Sequence, residues 1–142
     1  MRTCAHLGLL LYNRSHARGG AIYISGSAST SLVDCTFSGN NAPCPGSDDT
    51  KTGEGGAIYI GDSAPTSIAG CTFTGNTVDF QIVDYWGTIS GRQGGAIFSS
   101  SSKALFLTNV TFTDNKPDDL KCGQTTKTEI GVVVQLNFSM CS

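Results

Sequence analysis

The sequence predicts an all-β protein, a short right-handed parallel β-helix of about three full coils with a half-coil at each end. Two motifs recur in its 142 residues: Gly-Gly-Ala-Ile, which starts at Gly19, Gly55 and Gly94, and Phe-x-x-Asn, which follows each of them. The Phe lies 18 residues after the first Gly in every copy. A constant offset between two motifs indicates one structural unit that is stacked. Apolar residues within each copy recur with a period of two, which is typical of strands.

Each repeat consists of a constant part and an inserted part. The constant part runs from Gly-Gly to the Asn, and the residues that vary in number all follow that Asn. We therefore expect the insertions to emerge on one side of the stack. The sequence predicts a single domain with repeats at 19–54, 55–93 and 94–129 and partial coils at 1–18 and 130–142.

Both partial coils contain a degenerate piece of the repeat. Leu10 to Asn13 is similar to Phe-x-x-Asn. Ile130 lies 15 residues after Asn115, the same step that separates Asn40 from the next Gly-Gly, so we expect a further coil to begin near 130. A β-helix this short needs its ends covered. The sequence therefore indicates either a segment of a longer protein or a chain whose ends meet partners.

Each repeat predicts three short strands separated by polar turns. Because successive coils stack at a spacing of about 4.8 Å, equivalent side chains should lie above one another. Alternation assigns four columns to the interior. These columns are Ile22/Ile58/Ile97, Leu32/Ile68/Leu107, Cys35/Cys71/Val110 and Phe37/Phe73/Phe112.

The residues Asn40, Asn76 and Asn115 predict an asparagine ladder. Asn tolerates unusual backbone angles, and its side-chain amide can bond the Asn of the next coil. We interpret this ladder and the phenylalanine column as structural. The spacing of Cys35 and Cys71 would permit a disulfide. We favour free thiols at these two positions, because an inward Cys behaves as a small hydrophobic residue.

With these motifs in view, the chain resembles the repeats of the chlamydial polymorphic outer membrane proteins over roughly residues 7 to 140. Similar repeats occur in other bacterial surface proteins and in many proteins of algae and protists. The resemblance implies a pectin-lyase-like right-handed β-helix with a surface, adhesive or scaffolding role. Family members of the membrane type also carry a C-terminal transporter barrel, for which we expect no counterpart in this sequence.

Composition and charge narrow the functional classes. With 9 basic and 11 acidic residues, the net charge of −2 gives no electrostatic case for nucleic acid. No apolar run approaches the ~20 residues that a membrane-spanning helix needs. Four cysteines in the insertions and terminal half-coils are disulfide candidates, and three Asn-x-Ser/Thr triplets are glycosylation sequons. Disulfides and N-glycans both favour an extracellular, cell-surface or oxidising organelle location. The candidates are Cys4, Cys44, Cys122 and Cys141 for disulfides, and Asn13, Asn109 and Asn137 for glycosylation.

Carboxylates in the insertions support a rival interpretation. Asp48, Asp49, Asp118 and Asp119 are calcium candidates on one predicted face, and calcium takes six to eight oxygen ligands. Such a face would suit a carbohydrate-binding or polysaccharide-cleaving β-helix. An enzyme would also need a basic residue for proton chemistry beside the sugar, and no motif supplies one. We therefore predict no catalytic residue and no cofactor, with calcium as the alternative.

Two aromatic groups are expected to bind a partner. One is an apolar insertion that carries the only Trp, and the other is an outward stripe on the first strand of each repeat. The stripe could stack on sugar rings, or it could dock the insertion loops or another protein, and we favour docking. The residues concerned are Phe80, Tyr85 and Trp86 in the insertion and Tyr23, Tyr59 and Phe98 in the stripe.

The predicted function is a non-enzymatic β-helix module that presents a face for interaction. It would be a subunit of a larger assembly or an adhesive segment at a cell surface, with other proteins or surface glycans as partners. A third hypothesis is ice binding, because the outward ranks beginning at Thr36, Thr72 and Thr111 resemble those of ice-binding proteins. β-Branched residues at outward positions are also simply good strand formers.

Overall fold

The computed structural model describes the constant parts of the repeats and portions of the segments between them. The described residues are 2–4, 9–11, 13, 18–27, 29–43, 53–61, 65–78, 82–83, 89–90, 92–101, 103–122, 128–130 and 133–135. Side chains are described for 13, 18–27, 29–43, 53–61, 65–78, 94–101 and 103–121.

Short strands are the only regular elements in this part of the chain. In order they are β1 (Arg2–Cys4), β2 (Leu9–Leu11), β3 (Ile22–Ile24), β4 (Thr30–Val33), β5 (Thr36–Ser38), β6 (Gly53–Glu54), β7 (Ile58–Ile60), β8 (Thr66–Ala69), β9 (Thr72–Thr74), β10 (Ile82–Val83), β11 (Ile89–Ser90), β12 (Arg92–Gln93), β13 (Ile97–Ser99), β14 (Leu105–Thr108), β15 (Val110–Thr113), β16 (Leu120–Cys122), β17 (Thr128–Ile130) and β18 (Val133–Gln135).

Three parallel sheets run along the stack. The first sheet has the order β3-β7-β13-β16, the second β1-β4-β8-β14-β17 and the third β2-β5-β9-β15-β18. Two smaller pairs accompany them: β6 with β12 in parallel, and β10 with β11 in antiparallel. Each full coil contributes one strand to each of the three sheets, and neighbouring strands come from successive coils. This arrangement confirms the predicted parallel β-helix.

The register places like side chains on like. Ile22, Ile58 and Ile97 are successive partners in the first sheet. In the third sheet Phe37 pairs with Phe73, and Phe73 pairs with Phe112. All four predicted inward columns belong to the core or pack against it. The phenylalanine rings stack with centroids 4.7 Å and 5.2 Å apart, within the range of favourable offset aromatic contacts.

The N-terminal half-coil confirms the degenerate Phe-x-x-Asn. Leu10 is the register partner of Phe37 in the third sheet. Three residues later, Asn13 donates hydrogen bonds from its backbone N and its Nδ2 to Asn40 Oδ1, at 3.0 Å and 3.1 Å. Leu10 and Asn13 therefore take the places of the Phe and the Asn.

The predicted boundary near 130 is wrong, because the last coil starts earlier in the chain. Leu120 is the register partner of Ile97 in the first sheet, and Ile130 is the partner of Leu107 in the second. Asp118 and Asp119 accept backbone hydrogen bonds from Ala96 N and Ile97 N, at 3.3 Å and 3.0 Å. The chain thus passes from Asn115 into the next coil without a third insertion, and it does so without a Gly-Gly motif.

A left-handed turn joins the second sheet to the third in each coil. Asp34, Gly70 and Asn109 occupy this turn with φ of 52°, 62° and 51°. Gly, Asn and Asp are the residues that adopt this conformation at least cost. A different constraint acts on Gly56, because a Cβ there would collide with backbone carbonyl oxygens of Gly95 and Thr77. The second Gly of the motif is therefore required by close packing of successive coils.

Candidate interaction face

An aromatic column lies on the outer side of the first sheet. It consists of Tyr23, Tyr59 and Phe98, which are successive partners in register. The Tyr23 and Tyr59 rings are stacked, with centroids 4.9 Å apart and planes 5° apart. The Tyr59 and Phe98 rings are 5.7 Å apart with a tilt of 30°. The period-two alternation of these strands makes the column, since their neighbours on either side point into the core.

The column is exposed at one end only. Tyr23 is 54% exposed, whereas Tyr59 is 6% and Phe98 is 3% exposed. Tyr59 and Phe98 are therefore covered within the chain, and the partner-binding role predicted for the stripe stays a prediction. The insertion residues Phe80, Tyr85 and Trp86 lie outside the described residues, so their partner-binding role stays a prediction.

An ion pair lies beside the aromatic column. Arg18 Nε is 2.7 Å from Glu54 Oε2, and its guanidinium carbon lies 4.9 Å from the centroid of the Tyr59 ring. The Arg18 side chain is about half exposed, while that of Glu54 is nearly buried. Burial acts to lower the pKa of Arg18, but the interactions with Glu54, Tyr59 and Tyr23 together outweigh it, and the net pKa is raised. Arg18 therefore stays charged, and the pair and the ring hold it in place.

We call the outer surface formed by Tyr23, Arg18, Glu54 and Tyr59 the Tyr23 face. Arg18 and Glu54 precede the Gly-Gly motif in successive repeats and form a parallel bridge with each other. Tyr59 is further fixed by a hydrogen bond between its hydroxyl and Ser100 Oγ, at 3.0 Å. An aromatic ring and an Arg that are both held in one geometry lose little conformational entropy when a ligand or partner binds them.

The asparagine ladder is confirmed, and it has a direction. Asn40 Nδ2 donates to Asn76 Oδ1 at 2.9 Å, and Asn76 Nδ2 donates to Asn115 Oδ1 at 2.8 Å. The same acceptors receive the backbone N–H of Asn40 and of Asn76, both at 3.0 Å. At the end of the ladder, Asn115 Nδ2 donates to Asp119 Oδ1 at 2.9 Å. In each bond between ladder amides the donor belongs to the earlier coil, and the carboxylate of Asp119 receives the final bond.

The calcium hypothesis loses part of its basis here. Asp119 is 2% exposed and is bonded to Asn115, so it belongs to the ladder and not to a solvated insertion. Asp118 opens the last coil instead of extending a loop. Asp48 and Asp49 lie outside the described residues. In the part of the chain that the structure describes, no group of three His, Cys, Asp or Glu residues is arranged to hold a metal ion.

A groove of about 280 Å³ lies on the outer side of the second sheet. It is lined mainly by small hydroxyl residues and by one large aromatic side chain, and the lining residues are Ser29, Thr30, Ser31, Pro65, Thr66, Ser67 and Phe106. Phe106 is 40% exposed. It is the register partner of Ser67, which in turn pairs with Ser31. Sequence reasoning missed this groove, although a Phe in a column of Ser residues was visible in the repeat alignment.

The outward hydroxyl ranks are present in the third sheet. Thr36, Thr72 and Thr111 are successive register partners, and the residues two positions further along each strand form a second rank. The first rank is half-buried in all three coils. The register is therefore as expected, and its role in ordering water stays a prediction.

The interior cysteines are free thiols, as we favoured. Cys35 and Cys71 are both buried, and Cys35 N donates to Cys71 Sγ at 3.4 Å. Burial raises the pKa of the Cys71 thiol to about 11, so the thiol is protonated near neutral pH. Cys122 was expected in an insertion, but it lies in β16 of the first sheet. Cys44 and Cys141 lie outside the described residues.

One buried hydroxyl breaks the pattern of the core. Ser99 pairs in register with Ile60, which pairs with Ile24. Ser99 is fully buried, and its Oγ makes no hydrogen bond in the described structure. Ser101, by contrast, is also buried, but its Oγ accepts a hydrogen bond from Lys103 N at 3.1 Å. The chain thus carries a matched pair of buried serines, one bonded and one not.

The comparisons with known proteins bear on the fold. A family model described as a right-handed β-helix region matches residues 5–137. Searches of curated proteins and of solved structures returned no match. Within the described residues, no helix is long and apolar enough to cross a bilayer. The family model agrees with the parallel strand order and confirms the predicted right-handed β-helix.

Proposed function

This chain belongs to the right-handed β-helix family, and we propose that it is a non-enzymatic module of that family, built to present the Tyr23 face to a partner protein. The partner would be another protein of a larger assembly or of a cell surface. We place the chain in the extracellular space, at a cell surface or in an oxidising organelle lumen. Surface glycans are the alternative class of partner.

The observation that carries the proposal is the preorganised exposure of Tyr23. Its ring is more than half exposed, yet it is stacked on Tyr59 at 4.9 Å. Beside it, Arg18 is fixed by Glu54 at 2.7 Å and keeps about half of its side chain in solvent. Tyr, Trp and Arg dominate the binding energy of protein interfaces, and they do so best when neighbouring contacts hold them in place. A partner would therefore gain a large apolar contact and a charge without ordering either side chain.

The Phe-x-x-Asn and Gly-Gly-Ala-Ile motifs support a related proposal about the repeat type. We assign the repeats to the polymorphic outer membrane protein type within the pectin-lyase-like β-helices. In this assignment the motifs serve the fold: Phe fills the interior, Asn forms the ladder and the second Gly lets the coils approach. Sequence-specific recognition then falls to the outer faces and the insertions.

The proposal is tested by isolating the chain gently from its source, measuring the native mass and identifying its companions. Tyr23→Ser and Phe106→Ser make a matched pair, because each removes one exposed aromatic ring from a different sheet. Truncating an interface hot spot costs about 2 kcal/mol or more, which is roughly a 30-fold loss of affinity. We expect that loss for Tyr23→Ser and none for Phe106→Ser, with unchanged circular dichroism in both. Equal affinities for the two variants would refute the proposal.

The sequence adds a second variant to that test. Trp86→Ala is expected to weaken the same assembly and to leave the fold intact, because large aromatic side chains in insertions usually meet a partner or the scaffold. Normal assembly of this variant would remove the insertion from the proposed interface. The Tyr23 face would still be tested separately by Tyr23→Ser.

Carbohydrate binding is the second candidate, and the groove on the second sheet favours it. An exposed aromatic ring such as Phe106 offers a face for a pyranose, and the hydroxyls of Ser31 and Ser67 offer hydrogen bonds along the same row. Sites for small ligands combine apolar walls with a few polar groups in this way. Phe106→Ser should then abolish binding of neutral oligosaccharides measured by calorimetry, and Tyr23→Ser should leave that binding unchanged.

A further inference from the structure

The structure describes two of the sequon asparagines, Asn13 and Asn109, and of these two only Asn109 has a side-chain amide that no hydrogen bond engages. We propose that Asn109 is an N-glycan acceptor of this protein and that the glycan marks the corner between the second and third sheets. The proposal goes beyond the interaction module, because it concerns a different part of the coil. Asn109 does not belong to the asparagine ladder, and the proposal assigns it a covalent modification.

The position of Asn109 supports the assignment. Asn109 is exposed in the left-handed turn between β14 and β15, with φ of 51°. In the described structure no hydrogen bond engages its side-chain amide, whereas Asn13 Nδ2 is committed to Asn40 Oδ1 at 3.1 Å. The middle residue of the sequon, Val110, is fully buried. The acceptor and the Thr111 hydroxyl therefore lie on the outer surface, around a side chain that anchors the turn.

The same turn also shows that the fold does not need Asn at this position. Asp34 and Gly70 take the equivalent place in the two preceding coils, with φ of 52° and 62°. The register confirms the equivalence, because Val33, Ala69 and Thr108 are successive partners immediately before it. The turn accepts Asp or Gly, so Asn109 is the one member of this column whose side chain can carry a sugar.

The modification itself is a group transfer from an oligosaccharide carried on a polyprenyl diphosphate. The Asn109 Nδ2 would form a bond to the anomeric carbon of the sugar while the bond from that carbon to the diphosphate oxygen breaks. The diphosphate leaves with the electron pair, and Nδ2 gives up one proton. The glycan is bulky and solvated, which an exposed corner accommodates, whereas the Asn13 amide is engaged in a ladder hydrogen bond.

The test is secretory expression of the full chain in eukaryotic cells, followed by intact mass before and after treatment with peptide N-glycosidase. Asn109→Asp keeps the turn, as Asp34 does, and removes the acceptor. Thr111→Val removes the hydroxyl of the sequon, and Thr111→Ser retains it. Two controls, Ser15→Ala and Ser139→Ala, delete the other sequons without changing their asparagines.

We expect a glycan at position 109 that is lost in Asn109→Asp and in Thr111→Val and is retained in Thr111→Ser and in both controls. Incorporation of ¹⁸O at position 109 during enzymatic release should locate it independently. A secreted chain without a glycan would overturn the proposal, and so would a glycan lost only in Ser15→Ala or only in Ser139→Ala. Circular dichroism of Asn109→Asp separates loss of the acceptor from loss of the fold.

Discussion

Replacing Asn76 by Asp tests whether the asparagine ladder holds the coils together. The substitution keeps size and shape but exchanges an amide NH₂ for an oxygen. Asn76 Nδ2 donates to Phe37 O at 3.1 Å and to Asn115 Oδ1 at 2.8 Å. Both donated bonds are lost in the variant, and two acceptors then face a carboxylate at a site that is fully buried.

The magnitude follows from the bonds that are lost. A buried acceptor left without its donor costs about 1–3 kcal/mol. Asn115 Oδ1 keeps one donor, the backbone N–H of Asn76, so its loss lies at the lower end. Adding the cost of burying an unpaired charge, we expect the free energy of unfolding to fall by about 3–6 kcal/mol at pH 7. A small domain has only about 5–15 kcal/mol in total.

The penalty should depend on pH, with a sign that can be worked out. Burial favours the neutral carboxyl, so the folded state raises the pKa of the introduced Asp above its unfolded value of about 3.9. The folded variant then binds more protons than the unfolded one, and stability falls as pH rises through this interval. The difference between wild type and variant should therefore be smaller at pH 4 than at pH 7.

The assay is urea unfolding followed by far-ultraviolet circular dichroism, at both pH values. Asn109→Asp is the matched control, because it makes the same chemical change at an exposed turn. The control should change stability by no more than about 0.5 kcal/mol. Our reasoning about the ladder fails if Asn76→Asp costs no more than the control, or if its penalty is the same at pH 4 and pH 7.

Three further predictions concern single side chains. Ser99→Ala should raise the free energy of unfolding by about 1 kcal/mol because it removes an unbonded buried hydroxyl, while Ser101→Ala should lower it; a loss in both variants would contradict this. Cys71 has a pKa raised to about 11, so stability should decline as pH rises from the unfolded value of about 8.5 toward 11. Cys71→Val should flatten that decline in urea titrations, and an unchanged slope would exclude the thiol as its source. Gly56→Ala should cost more than about 3 kcal/mol because its Cβ meets backbone, whereas Gly75→Ala, with open space around it, should cost about 1–2 kcal/mol from backbone strain alone. Equal melting points for these two variants would refute the packing argument.

The fold was predictable because the same residues recur at the same places in the repeat. The 18-residue offset and the period of two were enough to assign the inward columns, and the register confirms them residue by residue. The ladder was also predictable in kind. The direction of its hydrogen bonds was not predictable, because the acceptor of the last bond, Asp119, is identified only by its position in space. In the sequence, Asp119 is indistinguishable from a solvated loop residue.

The last coil shows where motif reasoning fails. The prediction required a Gly-Gly or a similar start at the spacing seen after Asn40. The chain instead re-enters the first sheet at Leu120, directly after the ladder. At Gly56 and Gly95 a Cβ would collide with backbone atoms of the neighbouring coil. Asp118 takes the equivalent place before Leu120, so the Gly-Gly motif is absent there although the strand forms.

Outer faces could not be predicted from alternation alone. A period of two separates the interior from the exterior of the coil, but it does not say which exterior side chains other segments cover. Tyr23, Tyr59 and Phe98 have the same sequence context, yet only Tyr23 keeps more than half of its surface exposed. Tyr23 lies on the edge strand of the first sheet, whereas Tyr59 has aromatic neighbours on both sides.

In a stacked repeat, departures from a column carry more information about function than the column itself. Identical residues in successive coils are accounted for by stacking, because each supports its neighbour in the next coil. An outward residue that differs from its column neighbours lacks this stacking contact with the adjacent coils. Stacking therefore does not explain why that residue is present. Phe106 breaks a column of Ser, and Asn109 replaces the Asp and Gly of earlier coils. Ser99 breaks a column of Ile in the interior. The outer departures coincide with the groove and with the proposed glycan acceptor, so variants at these positions should alter binding or modification with little effect on stability, whereas the interior departure should alter stability alone.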